Sequence, residues 1–232
     1  MWCTPEYDDT LFHALRMFNA RRVRYILGVV PYEMTWLQAI ALKAVMAGGS
    51  GSVVMHGFSH GYASPALRAQ QVQSAGWHAQ YTTMMAGGGE FSGMSMERCD
   101  HDHLVSHKIL QQSFGSLYDP AHFIAPFNCY TQALLDALDE TEIKFLHTCD
   151  KEYNEYKYAG LNYRNIKPVV SRLYRGYDYA GNVAGKLPDV LKAGEQITLH
   201  WYYDCYKKSH WKDEYARLLD ALAKEPEYVT PA

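Results

Sequence analysis

Apolar residues along the chain follow two alternating rhythms. Short β-rich runs at Val23–Val30, Ser52–Met55, His122–Ala125, Ile143–His147, Val169–Tyr174 and Gln196–Tyr202 read as strands. Between them the apolar spacing turns helical. Leu11, Leu15 and Phe18 share one side of a helix over Leu11–Ala20. Met34–Ala47 reads as a helix stopped by Gly48-Gly49, and His101–Phe114 as one stopped by Gly115. Thr131–Glu140 and the short Leu187–Lys192 follow the same rhythm. The last helix is Trp211–Lys224, with Tyr215, Leu218, Leu219 and Leu222 as its core stripe. At the other end, Met1–Tyr7 reads as a short strand, with Pro5 where no ladder donor is needed, and Asp9 or Thr10 as the cap of the helix that follows. Residues 61–98 are the least regular. They contain Gly87-Gly88-Gly89 and one helical stretch near Pro65–Ser74, and read as a loop-rich insertion that covers something. Glu152–Arg164 is polar and tyrosine-rich, as a surface loop would be.

Strands that alternate with helices predict a parallel sheet with helical crossovers. No repeat, linker or low-complexity run divides the chain, so residues 1–232 read as one domain. The element pattern leaves open a barrel or an open doubly wound sheet. Either one carries its chemistry at the C-terminal ends of the strands. The polar groups expected there are Asp8-Asp9, His56 to His60, Pro126-Phe127-Asn128 and His200.

Composition removes several alternatives. A formal net charge of -3 gives no reason to expect nucleic acid or an anionic membrane as partner. No apolar run approaches the length of a bilayer span. The N-terminal residues show no basic region followed by an apolar run, so no signal peptide is visible and the cytoplasm is the default location. Five scattered cysteines without a C-x-x-C pair suggest a reducing compartment and structural thiols. Nineteen tyrosines and five tryptophans supply flat amphipathic faces that suit stacking on sugars, or an ordinary wet surface.

The sharpest chemical signal is Val53-Val54-Met55-His56-Gly57-Phe58-Ser59-His60. Two histidines at i and i+4, just past a buried strand, can grip one divalent metal through neutral imidazole nitrogens. Adjacent carboxylates, Asp8 and Asp9, fit two jobs, one as a metal ligand and one as a free general base. A helix cap is the plainer use of such a pair.

These motifs, in this order, resemble the polysaccharide deacetylase family (NodB homology, carbohydrate esterase family 4). The family's Thr-Phe-Asp-Asp-Gly motif corresponds to Glu6-Tyr7-Asp8-Asp9-Thr10, and its His-Ser/Thr-x-x-His motif to His56-Gly57-Phe58-Ser59-His60. Its Arg-Pro-Pro-Tyr-Gly motif corresponds to Ile124-Ala125-Pro126-Phe127-Asn128, and its late Leu-x-His motif to Leu199-His200 with looser spacing. The likeness runs from about Tyr7 to Tyr203 and looks like a divergent branch.

The resemblance implies a distorted (β/α) barrel of about seven parallel strands. It also implies metal-dependent hydrolysis of N-acetyl groups, or O-acetyl groups, on a sugar or polysaccharide. Asp9, His56 and His60 would ligate one divalent ion, zinc first and cobalt or nickel as alternatives. Asp8 would be the general base toward the attacking water and His200 the general acid toward the leaving amine. The backbone N–H of Phe127 would hold the oxyanion, a donor worth roughly 3 kcal/mol in such sites. Tyr62, Trp201, Tyr202 and Asn128 flank the expected rim as substrate-binding residues, and Asp204 stands where it can assist His200. Three departures stand out. Ile124 replaces the arginine that orients the catalytic aspartate, Thr10 replaces a glycine, and Phe127 replaces a tyrosine.

Two further readings accompany this one. A homologue that binds carbohydrate without catalysis would keep the same motifs. Gly57-Phe58-Ser59-His60-Gly61 also spells G-x-S-x-G, which would make Ser59 a serine-esterase nucleophile with Asp178 or Asp204 and then His210. A zincin is a weaker reading still, because position 57 is glycine where H-E-x-x-H needs glutamate. His101, His103 and His107 read as a solvated cluster on a helix, with a second metal as the alternative.

Overall fold

The computed structural model describes residues 5–59, 89–149, 160–174, 196–199 and 211–229. Among them, six parallel strands form one sheet in strict chain order. They are β1 (Tyr25–Val29), β2 (Gly51–Met55), β3 (Tyr118–Ile124), β4 (Phe145–Cys149), β5 (Lys167–Tyr174) and β6 (Gln196–Leu199). The helices are α1 (Pro5–Ala20), α2 (Trp36–Met46), α3 (Met96–Phe114), α4 (Gln132–Asp139) and α5 (Trp211–Leu222). The protein is therefore mixed α/β with a parallel sheet, as the alternation of strand and helix patterns predicts.

Period-two alternation gives each strand a helix-facing side and an opposite side. Leu27, Val29, Val53, Met55, Phe123 and Leu146 lie in one core with Leu15 of α1, Leu42 of α2, Leu110 of α3 and Leu138 of α4. The opposite face carries Gly28 beside Val54, His122 beside Phe145, and Ile124 beside His147. Helices α1 to α4 thus cover one face, while the other holds small, apolar and histidine side chains. A second cluster joins Leu218, Leu219 and Leu222 of α5 to Met17 and Phe18 of α1, and Leu199 of β6 packs against it.

Three elements differ from the sequence expectation. The stretch read as a first strand is helical from Pro5, so Asp8 and Asp9 lie in the opening turns of α1, not at a strand end. Proline suits the first helical position, and acidic residues suit the positive end of the helix dipole. Helix α3 begins at Met96 rather than at His101, because Ser95 caps it by accepting the Arg98 N–H. The last part of the expected insertion is therefore a turn and a helix. Strand β3 begins at Tyr118, four residues before the β-rich run. Pro120 is tolerated there because the ladder to β2 slips between Val53 and Met55. Six strands rather than seven are therefore described, since the stretch expected as the first is helical and the run expected as the seventh is β6. The helices expected near Pro65–Ser74 and Leu187–Lys192 lie outside the described residues.

Candidate active site at the ends of β2 and β3

Strand β2 delivers His56 to the C-terminal edge of the sheet. The His56 N–H continues the ladder by donating to the Val29 carbonyl at 2.9 Å. Its ring folds back over β1, where Gly28 makes room. A Cβ at position 28 would stand 3.1 Å from His56 Cβ and 3.1 Å from Ile124 Cδ1. The ring Nδ1–H donates to the backbone carbonyl of Ile124 at 3.0 Å. In the neutral imidazole this bond puts the proton on Nδ1 and the lone pair on Nε2. Nε2 is then free of the proton and is the ring atom that could hold a metal.

Beyond His56 the chain turns sharply at Gly57, which has φ +66°. A side chain there would run into Glu90 Oε2 and Pro126 Cγ. Glu90 Oε1 accepts the N–H of Phe58 at 2.8 Å and of Ser59 at 3.0 Å. The Glu90 side chain is buried, with 1% of the residue exposed. Sequence reasoning passed over it, since it falls inside the irregular stretch; the one available signal was a carboxylate directly after the glycine run 87–89. Phe58 also accepts the Tyr32 N–H at 3.0 Å, and the two rings tilt together at 5.3 Å. Tyr32 and, at the start of α2, Trp36 are largely exposed.

The loop after β3 completes the edge. Pro126–Asn128 forms a single 3-10 turn. The N–H groups of Asn128 and Cys129 are bonded to the carbonyls of Ala125 and Pro126. Phe127 sits second in the turn, where an amide makes no bond within the turn itself. Asn128 takes a left-handed φ of 54° and accepts the Thr148 hydroxyl of β4 through Oδ1. The turn at Gly89 presses on this loop, since a Cβ there would stand 2.6 Å from Cys129 Cβ. The segments 56–59, 89–90 and 126–129 are thus packed on one another.

A helix that precedes a parallel strand runs antiparallel to it, so the opening of α1 lies toward the same sheet edge as the end of β1. This brings the backbone of Asp8 and Asp9 to the side of the fold that carries His56. His60, Tyr62, His200, Trp201 and Tyr202 lie outside the described residues, as do Asp178, Asp204 and His210. Among the described residues, no group of three or more His, Cys, Asp or Glu is assembled as a metal cluster.

Deeper on the same sheet face, histidines link the strands. His122 Nδ1 and His147 Nε2 are 2.7 Å apart, and His147 Nδ1 donates to Gln196 Oε1 at 3.0 Å. With Nδ1 as donor, the neutral His147 ring accepts at Nε2, so His122 Nδ1–H is the donor between the two rings. Burial first, and then the charge of His122, pulls His147 down to about 4. His103 on α3, expected at the surface, is buried, and burial followed by His107 lowers it to about 4 as well. Both folded values lie below the ordinary 6.5, so the unfolded chain takes up these protons first as pH falls. Stability from each is complete above about pH 6.5 and is lost toward pH 4, by about 3 kcal/mol per residue. Urea unfolding between pH 7 and 4 checks this, and His147→Gln is expected to flatten the profile by about half.

Burial raises the Cys99 thiol to about 11, with the Asp102 and Glu90 carboxylates adding to the effect. Among the described residues no helix is long and apolar enough to cross a membrane.

No protein-family model and no curated protein sequence matches the chain. Among solved structures, it is similar to a family 4 carbohydrate esterase from Streptomyces lividans in complex with acetate. The TM-score is 0.52 at 11% identity, covering 96% of this chain and 84% of the esterase. It is also similar to 4-alpha-glucanotransferase from Thermococcus litoralis, with a TM-score of 0.57 at 10% identity, covering 98% of this chain and 36% of that one. At such identities the likeness is one of fold, and the fold is one that a carbohydrate esterase uses.

Proposed function

We propose that this chain is a metal-dependent carbohydrate deacetylase, a hydrolase that cleaves the amide of an N-acetylated sugar or polysaccharide, or the corresponding O-acetyl ester. The observation that carries the reading is His56, delivered by a parallel strand to its C-terminal end with Nδ1–H held by the Ile124 carbonyl. The fold likeness to a carbohydrate esterase solved with acetate, the product expected here, supports it. A second carbohydrate-active protein of similar fold supports the sugar class of substrate.

We further infer that the sheet curves into a distorted (β/α) barrel of about seven strands. Strand order without a reversal, helices on one face, and Leu199 of β6 packed with α1 and α5 all favour closure over an open sheet. The C-terminal rim of such a barrel is where its chemistry sits.

The donor chemistry of His56 fits zinc, and His60 and Asp9 complete the proposed ligand set, with cobalt or nickel as alternatives. When bound, the ion would supply Lewis acidity toward the acetyl carbonyl and toward water. The chain's own residues do the rest. Asp8, in the opening of α1, takes the proton of the attacking water. His200 gives a proton to the departing amine. The Phe127 N–H donates to the carbonyl oxygen as negative charge develops there. Asn128, Tyr62, Trp201 and Tyr202 hold the sugar.

Acetate release from N-acetylglucosamine oligomers tests the reading. Release that stops with a chelator and returns with added zinc is expected. Release that ignores chelators and stops with a serine-directed phosphonate would contradict it and point to Ser59.

A further inference from the structure

Burying a carboxylate is costly unless its oxygens are hydrogen-bonded. Glu90 is 1% exposed, and Oε1 accepts two successive backbone N–H groups, those of Phe58 and Ser59. Successive N–H groups next to a left-handed residue form a concave nest that binds anions. Here Gly57, at φ +66°, shapes the nest, and the protein's own carboxylate occupies it from 32 residues away. Phe58 and Ser59 themselves lie in a bend, outside any helix. The contacts reach further. Glu90 lies against Gly57, Gly57 against Pro126, and Gly89 against Cys129. The loops that follow β2 and β3 are thereby clamped together across the Ile124 carbonyl that orients the His56 ring.

We propose that Glu90 is a positioning residue of the His56 site: its carboxylate fills the nest behind Gly57 and fixes the path by which the chain leaves His56. The consequence for metal binding rests on the zinc reading above; the fixing of the loop does not. Charge-assisted bonds to two amides are stronger than neutral ones, which suits a loop that must hold one course. Removing an outer partner of a metal site typically weakens binding by about 10–100-fold.

The test compares the full chain with Glu90→Ala, Glu90→Gln and Glu90→Asp. It reads amide hydrogen exchange at Phe58 and Ser59 without metal, and zinc affinity by competition with a chromogenic chelator. In Glu90→Ala, exchange at the two amides is expected to quicken at least about tenfold and zinc affinity to fall by about 10–100-fold. Glu90→Gln keeps the reach and an acceptor, and should recover most of both. Glu90→Asp, one methylene too short for both amides, should behave like alanine and is the variant to read if Glu90→Ala does not fold. Wild-type exchange rates in Glu90→Ala or Glu90→Asp would overturn the proposal, as would unchanged zinc affinity in a wild type that binds zinc. A wild type that binds no zinc overturns the metal reading alone, and the exchange rates then decide on Glu90.

Discussion

Acetate release by His56→Ala is expected to fall by about a thousandfold or more, which corresponds to about 4 kcal/mol of lost transition-state stabilisation. On the proposed reading the variant loses one of the three ligands, and with it the ion that polarises the acetyl group. Stability should change far less. The ring is only half-buried, and its bond to the Ile124 carbonyl is worth about 1 kcal/mol. A large loss of rate beside a small shift in the urea midpoint therefore separates chemistry from folding. Equal activity in wild type and variant would remove His56 from the site.

Gly57→Ala is expected to damage both stability and activity, through geometry rather than chemistry. An alanine at φ +66° costs about 1–2 kcal/mol in the left-handed region. Its methyl group would also push on Glu90 and Pro126, the two neighbours that hold the loop. Overpacking of that kind adds about 1–3 kcal/mol. Neither neighbour can yield easily, since Glu90 is tied to two amides and Pro126 begins the turn that presents Phe127. A destabilisation of about 3 kcal/mol, read from urea unfolding, is the expected result. A variant within about 0.5 kcal/mol of wild type would show that the loop has freedom this packing does not provide.

The sequence was most legible where local signals and tertiary packing agree. Val53, Val54 and Met55 are buried and β-rich, and they do form the strand that delivers His56. Thr35 and Gln38 make a reciprocal cap, so α2 begins close to where its apolar pattern does. Pro5 misled because proline fits both a strand end and the first turn of a helix, and only the apolar stripe of Leu11, Ala14 and Leu15 extended backward decides. Local signals also gave no hint of long-range partners. Glu90 meets Phe58 and Ser59 across 32 and 31 residues, and nothing in a glycine-rich stretch announces that. A cluster of histidines on one helix reads as solvated surface, yet His103 is buried, as is Ser106 one turn on. The order of motifs pointed to the loops that follow β2 and β3, and the structure packs those two loops together through Gly57 and Pro126. The clamp that holds those loops together is a property of the fold.

The most direct test of the metal site is elemental analysis of the purified full chain, wild type beside His56→Ala/His60→Ala. The account predicts about one zinc or similar ion per chain in the wild type and none above background in the variant. A wild type that carries no metal even after supplementation, or a variant that keeps it, would contradict the account.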